Sequence, residues 1–129
     1  MNVVGRIHLV VGDTRPQIYL QLRQPGQGEL LDVSNATVFL KFKPFVEDTV
    51  LFQLQGVPLP GTLQANLIDP DLTQYLLAGS GGRVRFDFIT GNLNLPPGRY
   101  LGEIEVVYGI GSSITMFTRL QFELREEFR

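Results

Sequence analysis

Strict alternation of apolar and polar residues constrains this chain more than any other feature. Ile18, Leu20 and Leu22 alternate with Gln17, Tyr19, Gln21 and Arg23. Val38, Leu40 and Phe42 alternate with Phe39, Lys41 and Lys43, and Val84, Phe86 and Phe88 with Arg83, Arg85 and Asp87. A period of two places every second side chain on one face of an extended strand, so each run reads as a half-buried strand. Ile7, Leu9 and Val11 suggest a first strand, Val50 to Leu54 another, and Ala65 to Ile68 a short one. Near the end, Tyr100, Ile104, Val106 and Tyr108 share one face, as do Ile114, Met116, Leu120, Phe122 and Leu124. The short glycine-rich link Gly109-Ile110-Gly111 predicts an antiparallel hairpin between these two strands.

Turn chemistry separates the strands. Gln24-Pro25-Gly26-Gln27-Gly28 reads as a loop tip, Asp32 to Asn35 as a turn, and Gly79-Ser80-Gly81-Gly82 as a flexible link. Gly56-Val57-Pro58-Leu59-Pro60-Gly61 is expected to leave the sheet, because its prolines lack the N–H that a ladder needs. One short helix is expected around 70–78. Asp69 would cap it, Pro70 would take its first position, Leu72, Tyr75 and Leu76 would share a face, and Gly79 would end it. The expected fold is therefore all-β: seven or eight short strands in one sandwich or barrel domain over 1–129, with 1–11 as an N-terminal strand or arm.

Composition excludes several chemistries. The 129 residues include no cysteine and one histidine. Disulfide frameworks, cysteine-based metal sites and thiol catalysis are thereby removed, as is a multi-histidine zinc centre. Eleven basic against thirteen acidic residues give a net charge of −2, which offers no footprint for nucleic acid. The apolar runs are far shorter than the ~20 residues that span a bilayer, and no signal-peptide core precedes them. The chain is expected to be soluble and made in the cytoplasm. Charged residues make up 19% of the chain, below the roughly 25% usual for soluble domains. Lys41 and Lys43 are the only lysines, beside nine arginines. Arginine is enriched and lysine depleted at protein interfaces, so both features suit a surface meant to be covered.

Catalytic constellations are thin. His8 lies out of phase with Ile7 and Leu9 and reads as a solvated or interfacial strand residue. No serine has a nucleophile-elbow setting. Glu103 and Glu105 point to one face of a strand at a separation compatible with paired-carboxylate chemistry, yet alternating acids on a solvent face are ordinary. Asp69 and Asp71 suit a helix start better than a calcium loop. No cofactor is implied. Arg83 and Arg85 share one face and could oppose Glu105 and Glu103 if their strands were neighbours. In opposite sheets they would be left for a partner subunit. Tyr19 and Phe39 are the strong outward aromatics of the strand reading.

From Gly82 onward the chain runs Gly82-Arg83-Val84-Arg85-Phe86-Asp87-Phe88, then Leu95-Pro96-Pro97-Gly98-Arg99-Tyr100, then Gly102-Glu103-Ile104-Glu105-Val106-Val107-Tyr108. Upstream stand Gly12-Asp13-Thr14 with Ile18-Tyr19-Leu20, and Leu31-Asp32-Val33-Ser34-Asn35-Ala36-Thr37-Val38. Together these resemble small immunoglobulin-like β-sandwich proteins of tailed phages, of the kind found in baseplates and in collars that carry side fibres. The resemblance covers roughly Gly12 to Leu124. It implies an immunoglobulin-like antiparallel sandwich and a virion structural role in tail, baseplate or collar, with a homo-oligomer docking neighbouring proteins or fibres. A capsid decoration protein and a carbohydrate-binding adhesin module are the alternatives. Neither nucleic acid nor membrane is an expected partner. Pro96, Pro97 and Gly98 would form a rigid corner ahead of Tyr100, which resembles the tyrosine corner of such folds. Gly102 stands where a bridged immunoglobulin domain has cysteine, and Phe88 where phage relatives carry tryptophan. Arg83, Arg85, Glu103, Glu105, Tyr19 and Phe39 are the candidate interface, with the loops 24–28 and 56–61 and the arm 1–11 as further docking elements.

Overall fold

A computed structural model describes residues 4–23, 29–61, 76–109 and 112–126. It contains eight strands among these residues: β1 (Val4–Val10), β2 (Gln17–Gln21), β3 (Ala36–Pro44), β4 (Phe52–Gln55), β5 (Val57–Pro58), β6 (Arg83–Asp87), β7 (Gly98–Tyr108) and β8 (Ser112–Arg125). They form a five-stranded sheet in the order β1-β8-β7-β3-β4 and a three-stranded sheet in the order β2-β6-β5. The chain is all-β over the described residues.

The alternation in the sequence becomes burial in the structure. Val38, Leu40 and Phe42 of β3 are buried, as are Val84 and Phe86 of β6, while the residues between them are half-exposed. From β7 and β8, Tyr100, Ile104, Val106, Leu120, Phe122 and Leu124 complete the core. At one end the core is aromatic. Phe42 stacks on Phe52 at 4.7 Å and on Tyr100 at 5.1 Å, and packs against Phe122 at 5.0 Å. Phe88 meets Phe42 edge-on at 6.1 Å. Rings placed this way add attraction beyond the area they bury.

Gly102 explains how such a core closes without a disulfide. A Cβ there would lie 2.7 Å from Phe122 Cε2 and 2.8 Å from Leu40 Cδ1. The space that a larger residue would need is already filled by a ring and a methyl group.

Three expectations change. First, the sheets are not wholly antiparallel: β1 runs parallel to β8, with Ile7 opposite Phe122 and Leu9 opposite Leu124. Second, Val57 and Pro58 do not leave the sheets but form β5, paired with Arg85 and Val84. Proline is tolerated because β5 is an edge, and the Leu59 amide supplies the next bond, to Arg83 O at 2.9 Å. Gly56 lets the chain pass from one sheet to the other, since a Cβ there would lie 2.3 Å from Val84 Cγ1. Third, no helix occupies Leu76–Ala78. They lead into a turn in which Ser80 N bonds Leu77 O, and Gly79 takes a φ of 85°. Residues 70–75 of the expected helix lie outside the described residues, as does the expected strand Ala65–Ile68. Within the expected 1–11 strand or arm, residues 4–10 form the edge strand beside β8.

Candidate interaction surfaces

The residues picked out from the sequence fall on two opposite faces and one corner. Because β6 lies in the three-stranded sheet and β7 in the five-stranded sheet, Arg83 and Arg85 cannot reach Glu103 and Glu105. Tyr19, Arg83 and Arg85 stand on the outer face of the smaller sheet. Phe39, Glu103 and Glu105 stand on the outer face of the larger one.

The two arginines are not left idle by that separation. Arg85 grips Asp87 through Nε at 2.9 Å and Nη2 at 3.1 Å. Arg83 donates from Nη1 to Pro60 O at 3.3 Å and lies 5.9 Å from the Tyr19 ring centre. Its Nε is buried with no hydrogen bond among the described residues. Each arginine therefore has an intramolecular role, and Arg85 carries a neutralising carboxylate with it.

Glu103 and Glu105 instead meet the two lysines. β3 and β7 are neighbours, with Lys41 directly opposite Glu103. Right-handed strand twist favours diagonal pairing, which is what forms: Lys43 Nζ lies 3.0 Å from Glu103 Oε2, and Lys41 Nζ 3.4 Å from Glu105 Oε1. Lys43 also bonds Asp48 at 2.8 Å. Its hydrogen bonds to Asp48 and then Glu103 raise the Lys43 pKa, and the Lys43 hydrogen bond lowers that of Asp48. Both lysines of the chain are thus engaged on one ladder.

At the corner, the Tyr100 hydroxyl donates to Pro96 O at 2.5 Å. Pro96 and Pro97 are exposed, and Gly98 begins β7 with a φ of 149°. Replacing Tyr100 by phenylalanine should cost about 1–2 kcal/mol, the net worth of one partly buried hydrogen bond plus its stranded carbonyl. Chemical denaturation would measure it.

Burial raises the pKa of Tyr100, and of Tyr108, whose hydroxyl donates to Asp32 O at 2.9 Å. Both tyrosines and Lys43 hold their protons more tightly folded than unfolded. Their stabilisation is complete below about pH 10 and falls as pH rises through the raised folded values. Melting temperature followed from pH 8 to 12 should therefore drop across that window, in step with phenolate absorbance.

Sequence reasoning missed one exposed cluster. Between β3 and β4, Val46 is 87% exposed, and Phe45, Val50 and Leu51 are exposed around it. Phe45 packs beneath the Arg99 guanidinium at 6.0 Å. The signal was present as Phe45-Val46, two adjacent apolar residues that break the alternation just after Pro44. Of the docking elements expected, 24–28 lies outside the described residues and 56–61 contains the two-residue edge strand β5.

Further chemistry is sparse in this set. His8 is exposed and lies 3.5 Å from Glu123. Among the described residues no three His, Asp or Glu side chains gather as metal ligands, and no helix is long and apolar enough to cross a membrane. Asp69 and Asp71 lie outside the described residues. No protein-family model matches the chain, and no curated protein matches it.

Proposed function

We propose that the chain is an immunoglobulin-like sandwich that serves as a structural protein of a tailed-phage virion, in a tail, baseplate or collar, where copies associate and dock neighbouring proteins. The observation that carries this reading is the corner at the head of β7, where Tyr100 bonds Pro96 O two residues before a glycine packed into the core. The strand orders support it. A five-stranded sheet β1-β8-β7-β3-β4 facing β2-β6-β5 corresponds to the variable-type immunoglobulin arrangement, with β7 in the place of the strand that bears the tyrosine corner. The pairing of Arg85, Lys41 and Lys43 with carboxylates on the sheet faces and the exposed apolar tip around Val46 suit a protein that works by being covered rather than by turning over a substrate.

Electron microscopy of intact virions decorated with antibody against this chain tests the proposal. Label on the particle, at roughly a dozen copies, supports a tail or collar position, and hundreds of copies would move the protein to the capsid. Particles without the chain would overturn the virion role.

A further inference from the structure

β2 lies at one end of the smaller sheet. β2 is an edge strand bonded only to β6 among the described residues. In an immunoglobulin-type sandwich the N-terminal strand can cover that edge, but here β1 is committed to β8 in the other sheet.

The hydrogen-bond parity of β2 follows from its two flanking bonds. Leu22 N donates to Gly82 O at 2.8 Å, and Phe88 N donates to Pro16 O at 3.0 Å. Paired residues in an antiparallel ladder alternate between bonded and non-bonded, so Ile18 and Leu20 turn their backbone groups toward β6. Gln17, Tyr19 and Gln21 turn theirs outward. Three N–H and C=O pairs therefore line an edge that no strand among the described residues covers.

Edges of this kind are usually blunted by lysine, proline or a bulge. Between Gln17 and Gln21 there is no charge, no proline and no break in register. The strand is also palindromic in chemistry about Tyr19: Gln, Ile, Tyr, Leu, Gln. We propose that β2 pairs antiparallel with β2 of a second copy, about a twofold axis at Tyr19, to join the two small sheets into one of six strands.

That register is self-complementary at each of the five strand positions. Gln17 faces Gln21 of the second copy, Ile18 faces Leu20, and the Tyr19 residues face each other. The outward donors and acceptors then satisfy one another in three bonded pairs. Within Gln17–Gln21 no charge meets a like charge, because Arg85, the neighbour of Tyr19 in the sheet, is already neutralised by Asp87. Just outside it the same register turns Arg15 toward Arg23 of the second copy, which confines the ladder to these five residues. Leu20 is only half-buried at the rim and gains an apolar partner. A five-residue edge contact is small, so it should be weak alone and strengthened when other contacts hold the copies together.

The contact rests on the self-association in the reading above, but not on a place in a virion. Sedimentation of the full chain across roughly 1–500 μM should show a reversible monomer–dimer equilibrium. Two double variants test the register. Gln17→Lys with Gln21→Lys sets four like charges across the axis and should weaken dimerisation at least ~10-fold, or about 1.4 kcal/mol. Gln17→Glu with Gln21→Lys sets opposite charges face to face, keeps a donor toward Gly81 O, and should dimerise at least as well as the parent. Hydrogen exchange at the Tyr19 amide should slow as concentration rises. A parent that stays monomeric throughout, or a doubly lysine-substituted variant that dimerises as tightly as the parent, would overturn the contact. A chain absent from virions that still dimerises with this charge dependence would leave the contact standing and remove only the virion role.

Discussion

Truncating Phe42 to alanine should lower the unfolding free energy by about 3–5 kcal/mol, the cost of removing a buried ring and leaving a cavity. Phe42 is fully buried in β3, between β4 and β7. Its ring touches those of Phe52, Tyr100 and Phe122 at centroid distances of 4.7 to 5.1 Å. These neighbours come from three different strands, each fixed by its own ladder, so they cannot all move inward to fill the gap. Urea denaturation would report the loss as a lower midpoint at unchanged slope. A loss below about 2 kcal/mol would mean that the aromatic end collapses around the hole and is less rigid than its packing implies.

Replacing Gly82 by alanine should cost about 2–5 kcal/mol, although it adds a single methyl group. Two causes add there. Gly82 has a φ of 77°, in the left-handed region that disfavours any residue with a Cβ. The new Cβ would also lie 2.4 Å from Leu22 O and 2.9 Å from Leu31 O. Both obstacles are backbone, and Leu31 N bonds Leu22 O, so neither can rotate aside as a side chain could. Gly109→Ala separates the causes. Its φ is 58° and nothing lies within 4 Å of its Cβ position, so it should cost only ~1–2 kcal/mol, for the dihedral alone. Equal losses at the two glycines would show that crowding at Gly82 is relieved by a backbone shift.

What could be read beforehand, and what could not, follows from the range of each interaction. Alternation is local, so the inward faces of β2, β3 and β6 were legible down to individual residues such as Ile18, Leu40 and Phe86. Strand direction is not local. Ile7 and Leu9 make the same pattern whether β1 lies parallel or antiparallel to its neighbour, and only the fold decides that β8 receives it. Pro58 misled for a related reason, because a missing donor forbids a central strand but not an edge. Glu103 and Glu105 were legible as one outward pair, but their partners depended on which strand lay beside β7. Placing Lys41 and Lys43 there required the β3–β7 register. The place of β2 at the edge of its sheet among the described residues is a fact of sheet order that no stretch of its five residues discloses, even though the palindrome is plain once that place is known.

The parallel alignment of β1 with β8 also sets an order of events. Its ladder joins segments about 115 residues apart, the kind of contact that forms late because the loop must close first. The β3–β4 and β7–β8 hairpins can form from neighbouring segments as the chain emerges. β1 must wait for β8, and until then the outer edge of β8 and the whole of β1 are both open. As an edge strand, β1 can also detach and leave every other ladder intact. Backbone amides of Ile7 to Val10 should accordingly exchange before those of β3 and β7. At high protein concentration, that interval of opening is when the edge of β8 is exposed to strands of other molecules.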